Sequence, residues 1–357
     1  ERRTHQVVQF VRDQMPRADC SLAKAQFVMA RAHGFASWPR LVQHVEGLTA
    51  PTSGVSTFER AAEAVISGDL ATLEQLLGAE PALVRARSDR DHRATLLHYV
   101  AANGVENYRQ RTPTNIEAIA TVLLDAGADV NAEADVYGGG ATTFALVVTS
   151  AHPRAAGVQN QLADLLLARG ARMSPEIVSY CLVNGCPEAA AHLVTRGAKL
   201  DLVGAAGIGR IDLVEAFLAD GATSATLHGA AMAMAAWYGR REVIARMLEL
   251  GVDAGARRAS DGQTALHIAA YQGDVELVEL LIARKAPLDV VDSEYGTPPL
   301  VWAFHAWLKE GRADAAAYIR IVRALVAAGA RVQLAWLDHE RLRAEAELYA
   351  RLREAAG

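Results

Sequence analysis

One short ending recurs along this chain and constrains what it can fold into. A helical run closes on glycine and a small residue at Asp125-Ala126-Gly127-Ala128, Arg169-Gly170-Ala171, Arg196-Gly197-Ala198, Asp220-Gly221-Ala222, Leu250-Gly251-Val252-Asp253 and Ala328-Gly329-Ala330. A degraded copy stands at Leu76-Leu77-Gly78-Ala79. A glycine past the last helical turn closes the helix in the left-handed conformation that other residues resist. An ending that returns this often marks a unit repeated in series, and such units bury their apolar faces by stacking on one another. A stack has no single core to outgrow, so 357 residues need not divide into two ordinary domains.

The clearest unit runs over residues 261–290, DGQTALHIAAYQGDVELVELLIARKAPLDV. Gly262 and Thr264 open it, residues 265–270 form a first helix, and Gly273 makes the turn. Val275, Leu277, Val278, Leu280 and Leu281 then supply a second apolar stripe at helical spacing. Residues 95–104, TLLHYVAANG, repeat the first helix. Nearly position by position this unit resembles the ankyrin repeat. The resemblance implies a mainly all-α solenoid of about eight degenerate helix-turn-helix units with short β-turn fingers, over residues 55–332.

The departures are informative. An ankyrin unit has about 33 residues, whereas Gly170 to Gly197 spans 27 and Gly197 to Gly221 spans 24, by subtraction of their numbers. Those units have room for a helix pair but not for a finger, so the row of fingers is expected to be interrupted there. Extra residues at 105–115, 152–160 and 307–317 read as loops on one edge. Residues 1–48 resemble the helical leader of bacterial ankyrin proteins, and 49–57, with Pro51, Ser53 and Gly54, read as its linker. Residues 333–357 read as a C-terminal cap, in which 338–355 form one amphipathic helix burying Leu342, Leu348 and Leu352. The chain opens at Glu1 without Met, which reads as missing upstream sequence.

Composition narrows the function classes. Hydrophobic residues make up 51% and aromatics only 6%, a balance that suits close-packed helices better than sheets. A net charge of −5 with few lysines gives no basic footprint, which speaks against nucleic acid. Arg341, Arg343, Arg351 and Arg353 alternate with glutamates, as on a solvated helix face. Cys20, Cys181 and Cys186 form no paired framework and fit a reducing compartment. With no apolar run long enough to span a bilayer, the reading is a cytoplasmic monomer without a membrane partner.

The resemblance places binding on the concave face, made of fingers and the exposed side of the first helices. By alignment to Tyr271 and Gln272, groove positions fall at Asn103, Thr149, Ser150, Asn184, Trp237, Tyr238, Tyr271, Gln272 and His305. Trp237, Tyr238, Tyr271 and His305 come from consecutive repeats and are expected to form a ridge. Aromatic side chains of this kind dominate interface hot spots. Finger tips are expected at Asp91, His92, Tyr137, Asp261 and Glu294. His98 and His267 occupy the family's first-helix histidine position, where a backbone hydrogen bond between repeats is implied.

No P-loop, dinucleotide fingerprint, zinc-protease helix or nucleophile elbow is present. Gly138-Gly139-Gly140 reads as easing a finger turn. Asp89, Asp91 and His92 on one finger, with Asp135 and Tyr137 on the next, have the chemistry to bind a cation or move a proton, and equally that of solvated tips. No catalytic residue, metal ligand or cofactor is assigned. The first reading is therefore a non-catalytic module that binds a protein partner through its groove. The alternative is a small-molecule-binding protein or enzyme, its pocket lined by His98, Tyr99, Tyr137, His228 and Trp302 where fingers are missing.

Overall fold

The structure is a computed structural model that describes residues 21–50, 53–312 and 314–357. Cys20, Pro51 and the first part of the expected leader lie outside them. Two compact units divide the chain: Glu1–Ile177 with Asn184–His192, and Val178–Val183 with Leu193–Gly357.

In the first unit the leader forms α1 (Leu22–Ala32), capped by the Ser21 hydroxyl, and α2 (Trp38–Thr49). A first repeat follows as α3 (Gly54–Ser67) and α4 (Leu70–Ala79), the latter capped by Asp69. A finger closed by a bridge between Arg87 and Thr95 leads to a 3-10 helix, Leu96–Ala101, and to α5 (Ile116–Asp125). The next finger is an antiparallel hairpin of β1 (Glu133–Ala134) and β2 (Ala141–Thr142), in which Glu133 faces Thr142. Three helices come next, α6 (Thr143–Val148), α7 (Ala151–Ala155) and α8 (Gln159–Ala168). Phe58, Leu73, Leu96, Tyr99, Ile119, Phe144 and Leu162 are among the side chains buried between these layers.

The pair α9 (Ile177–Val183) and α10 (Pro187–Thr195) is shared between the units. The second unit continues with α11 (Leu202–Ile208), α12 (Ile211–Ala219), α13 (Ala225–Trp237) and α14 (Arg241–Glu249). Then come α15 (Ala265–Gln272), α16 (Val275–Ala283), α17 (Pro299–Phe304) and α18 (Ala315–Ala327). First helices stack in series, α11 on α13, α13 on α15 and α15 on α17, and second helices likewise pair α12 with α14 and α16 with α18. Leu266, Leu277, Leu281, Leu300, Ile321 and Leu325 fill the space between them. This is an all-α ankyrin-type solenoid arrangement within the unit.

Local chemistry explains the units and their exceptions. Gly127, Gly170, Gly197, Gly221, Gly251 and Gly329 all carry positive φ, from +68° at Gly221 to +98° at Gly329, and so close helices as the sequence pattern requires. Gly78 does not: it lies inside α4, which instead ends at Glu80 before a 3-10 turn, Pro81–Arg85. Only four residues separate Gly197 from α11 and three separate Gly221 from α13, too few for a finger. The latter repeat keeps near-normal length because α13 is 13 residues long. The insertions are not plain edge loops. Val105, Glu106 and Arg109 of the first are buried, as are Trp307 and Leu308 in a π-helical turn, His305–Lys309.

The C-terminal helix is broken, α19 (Glu340–Ala344) and α20 (Ala346–Ala355) meeting at a non-helical Glu345. Leu342 and Leu348 are six residues apart, which a straight helix would turn about 120° from one another. The break lets Leu342, Leu348 and Leu352 all be buried.

Two glycines in helices test this packing in opposite directions. A Cβ on Gly229 would lie 2.2 Å from the Arg257 carbonyl oxygen, a backbone contact that no rotamer relieves. Nothing lies within 4 Å of a Cβ on Gly78. Gly229→Ala is expected to cost about 1–3 kcal/mol or more by overpacking. Gly78→Ala is expected to stabilise by about 0.5–1 kcal/mol, because it removes backbone freedom from the unfolded chain. Thermal melting of both variants checks the pair; equal shifts in one direction would contradict this account.

Candidate functional site

Stacking the first helices of the second unit brings matching positions of successive repeats side by side. Trp237 ends α13 and Tyr271 lies in the last turn of α15; their rings stack with centroids 6.1 Å apart and planes 12° from parallel. Trp302 of α17 meets Tyr271 edge to face at 5.6 Å and Tyr295, from the finger, at 5.9 Å. Trp237 is 44% exposed and Tyr295 65%, and the two inner rings are half-buried. The result is a strip of four aromatic rings contributed by three consecutive repeats.

The strip is held from its edges. The Trp302 indole N–H donates to Asp292, 3.2 Å away. Asp292 also accepts from the backbone N–H groups of Glu294, Tyr295 and Thr297 and from the Thr297 hydroxyl. Burial pushes its carboxyl up, but these donors outweigh that and hold it down at about 2. The Tyr271 hydroxyl donates to Glu310 at 2.9 Å, and the Arg312 guanidinium lies 4.1 Å from the Tyr271 ring centroid. Arg312 donates in turn to Glu310 and to the Gln272 side-chain oxygen. The insertion after α17 thus folds back on the strip and fixes Tyr271 and Gln272.

The expected ridge is therefore altered. Tyr238 turns away from it and donates its hydroxyl to the Leu182 carbonyl at 2.5 Å. His305 is exposed, 3.4 Å from Glu310, and does not stack. Trp302, read from the sequence as a pocket residue, belongs to the strip instead. Tyr295, Glu310 and Arg312 were not legible as members; the one available signal was the tyrosine beside the finger turn at Gly296. Asp261 pairs with Arg258 and accepts, through its carbonyl, from Ser293 N–H of the next finger, while Glu294 is exposed beside Tyr295. His228 pairs with the Thr223 hydroxyl at 2.9 Å.

The first unit carries a different concentration of polar groups. The finger residue Arg90 bonds Glu59 and lies 2.6 Å from Glu106, while Arg109 lies 2.6 Å from Glu59 and 3.4 Å from Glu106. All four are nearly fully buried. Burial disfavours the charge on Glu106, yet His92, 3.7 Å away, Arg90 and Arg109 hold its carboxyl down at about 2. Both guanidiniums are raised above their ordinary value, the carboxylates outweighing burial. The leader closes over this finger. Asp91 accepts from Arg31 at 2.8 Å and from Ala36 N–H at 3.1 Å, and His44 Nδ1 lies 2.9 Å from Asp89. Asp91 and His92 are consequently not free tips: one is engaged by the leader and the other is buried against Glu106.

His44, Glu59 and Asp89 bring ligand atoms within 4.8 Å of one another, close enough to hold an ion. Arg90 already puts a cation there, bonded to Glu59 and 3.3 Å from His44 Nε2. His98 and Tyr99 are fully buried and line no open groove. The Thr95 N–H donates to His98 Nδ1 at 3.1 Å, and the same bond recurs between Thr264 and His267, whose Nε2 reaches the Thr297 carbonyl of the next repeat at 3.2 Å. Burial lowers both imidazoles, His98 to about 4. His267 reaches the next repeat, whereas His98 Nε2 is buried without a hydrogen-bond partner among the described residues. Tyr137 is exposed with φ +52° and donates to Asn103 at 2.7 Å. Two surface hollows of about 430 and 410 Å³, beside Arg154 and beside Lys285, contain none of the pocket residues named from sequence.

The charge cluster makes an acid-stability test. Glu106 has a folded pKa of about 2 against an ordinary 4.5, so its contribution is present above pH 4.5 and is lost as pH falls toward 2. Glu106→Gln is expected to lower the denaturant midpoint at neutral pH and to flatten its decline between these values. Arg90→Met leaves two buried carboxylates short of a partner and is expected to cost about 3–5 kcal/mol. Denaturant titrations from pH 2 to 7 decide, and parallel curves for wild type and Glu106→Gln would overturn the assignment.

Comparison with known proteins bears on the second unit. Residues 227–335 match the family described as ankyrin repeats, in three copies. No curated protein matches the chain. Among the described residues no helix is long and apolar enough to cross a membrane. The matched copies contain every ring of the aromatic strip, so the strip lies on a stretch similar to ankyrin repeats.

Proposed function

We propose that this chain is a binding module that recognises a protein partner through the aromatic strip of its second unit. The observation that carries this is the exposure of Trp237 and Tyr295 at either end of a ring series fixed by three stacked repeats. Ankyrin repeats are generally protein-interaction modules, and large rigid rings bury much area at small entropic cost. The strip is an exposed surface rather than an enclosed cavity, which favours a macromolecular partner over a small molecule. Affinity would come from Trp237 and Tyr271, with Tyr295 of the finger at the rim.

Trp237→Ala is the direct test. The side chain is half open to solvent, so its loss is expected to remove about 1 kcal/mol of ring stacking from the fold. Its loss from an interface is expected to cost about 2 kcal/mol or more. Quantitative co-purification of wild-type and variant chains, beside their melting curves, reads both. Partners retained equally by the variant would overturn the proposal; a collapse in melting temperature would show that the ring serves the fold.

A further inference from the structure

Resting on that reading, we infer that the occupant of the strip is a proline-rich segment in the extended polyproline conformation. The charged groups bordering the rings are already engaged within the chain. Arg312 is held by Glu310 and Gln272, and Arg258 by Asp261. Arg257 donates to the carbonyls of Gly262 and Val291. Asp292 accepts five donors, and the Glu294 carboxylate lies beside the Tyr295 phenol, which it raises above its ordinary value. A strongly charged segment would have to break these pairs to gain its own.

The aromatic edges are spent as well, since Tyr271 and Trp302 use their hydroxyl and indole N–H on Glu310 and Asp292. Arg312 covers the Tyr271 ring, so what remains is the exposed ring surface of Trp237 and Tyr295, together with the Trp237 indole N–H, which has no acceptor among the described residues. Faces plus one free donor suit pyrrolidine rings and the carbonyls between them. Polyproline carries no internal hydrogen bonds, leaves its carbonyls free and enters a groove already extended, at low entropic cost. The rings that stay half-exposed, Trp237 at one end and Tyr295 at the other, mark the direction such a segment follows.

Calorimetric titration of the full chain with a short all-proline peptide tests this, with oligolysine and oligoglutamate peptides of equal length alongside. Saturable binding of the proline peptide that is indifferent to salt is expected, with Trp237→Ala weakening it about tenfold. Trp237→Phe keeps a ring face and removes the N–H, and is expected to fall between the two. Tighter, salt-sensitive binding of a charged peptide that depends on Trp237 would overturn the proline occupant and leave the strip as a binding surface. Proline binding indifferent to both Trp237 variants would overturn the site. No binding of any peptide would overturn the inference, while the co-purification comparison decides the parent reading separately.

Discussion

The helices of these repeats have little stability of their own. Most are 7–13 residues long, a length at which an isolated helix is marginal in water because nucleation costs more than a few propagation steps return. Each must therefore find an apolar face on the next repeat. That requirement places Leu266, Leu277 and Leu300 in one continuous interior, and it sets the helix register that brings Trp237 over Tyr271. The aromatic strip is a by-product of that packing rule.

Stacking also buries polar groups, and the two units meet that cost differently. At Thr264 and His267 the solution is local: a neutral imidazole caps its own helix and reaches the next repeat's backbone. The first unit has the same local cap at Thr95 and His98, without a partner for His98 Nε2 among the described residues, and beside it lie Glu59, Arg90, Glu106 and Arg109. Four charges in so little water are stable only while each keeps its partners. They draw the finger, the 105–115 insertion and α3 together, and His44 and Arg31 add the leader. Those residues therefore hold the first finger in a fixed relation to α1 and α2 instead of presenting it to solvent.

How much of this was legible in the sequence follows from the range of each interaction. Glycine closures and the missing fingers depend on residues close in the chain, and they were readable, with Gly78 the exception because the 3-10 turn after α4 replaces a left-handed closure. Trp237 and Tyr271 were readable because repeat alignment equates their positions. Tyr238 departs because its hydroxyl has an acceptor in Leu182, 56 residues away, which alignment cannot show. The cluster around Arg90 was invisible for the same reason: Glu59 is 31 positions away, and its approach depends on how α3 meets the finger. Glu310 and Arg312 lay in an insertion, where no consensus fixes the path of the chain.

The same insertion bears on how the strip would bind. Its two charged residues satisfy each other and immobilise Tyr271 before any partner arrives, so less ordering cost is left to be met on association. They also remove free charge from the rings' surroundings, which shifts discrimination from ion pairing to shape and stacking. A chain with net charge −5 thereby carries an aromatic surface beside which Arg312 and Glu310 are paired with each other. Long-range electrostatics would then govern how fast a partner approaches, while the spacing of Trp237, Tyr271, Trp302 and Tyr295 governs which one stays.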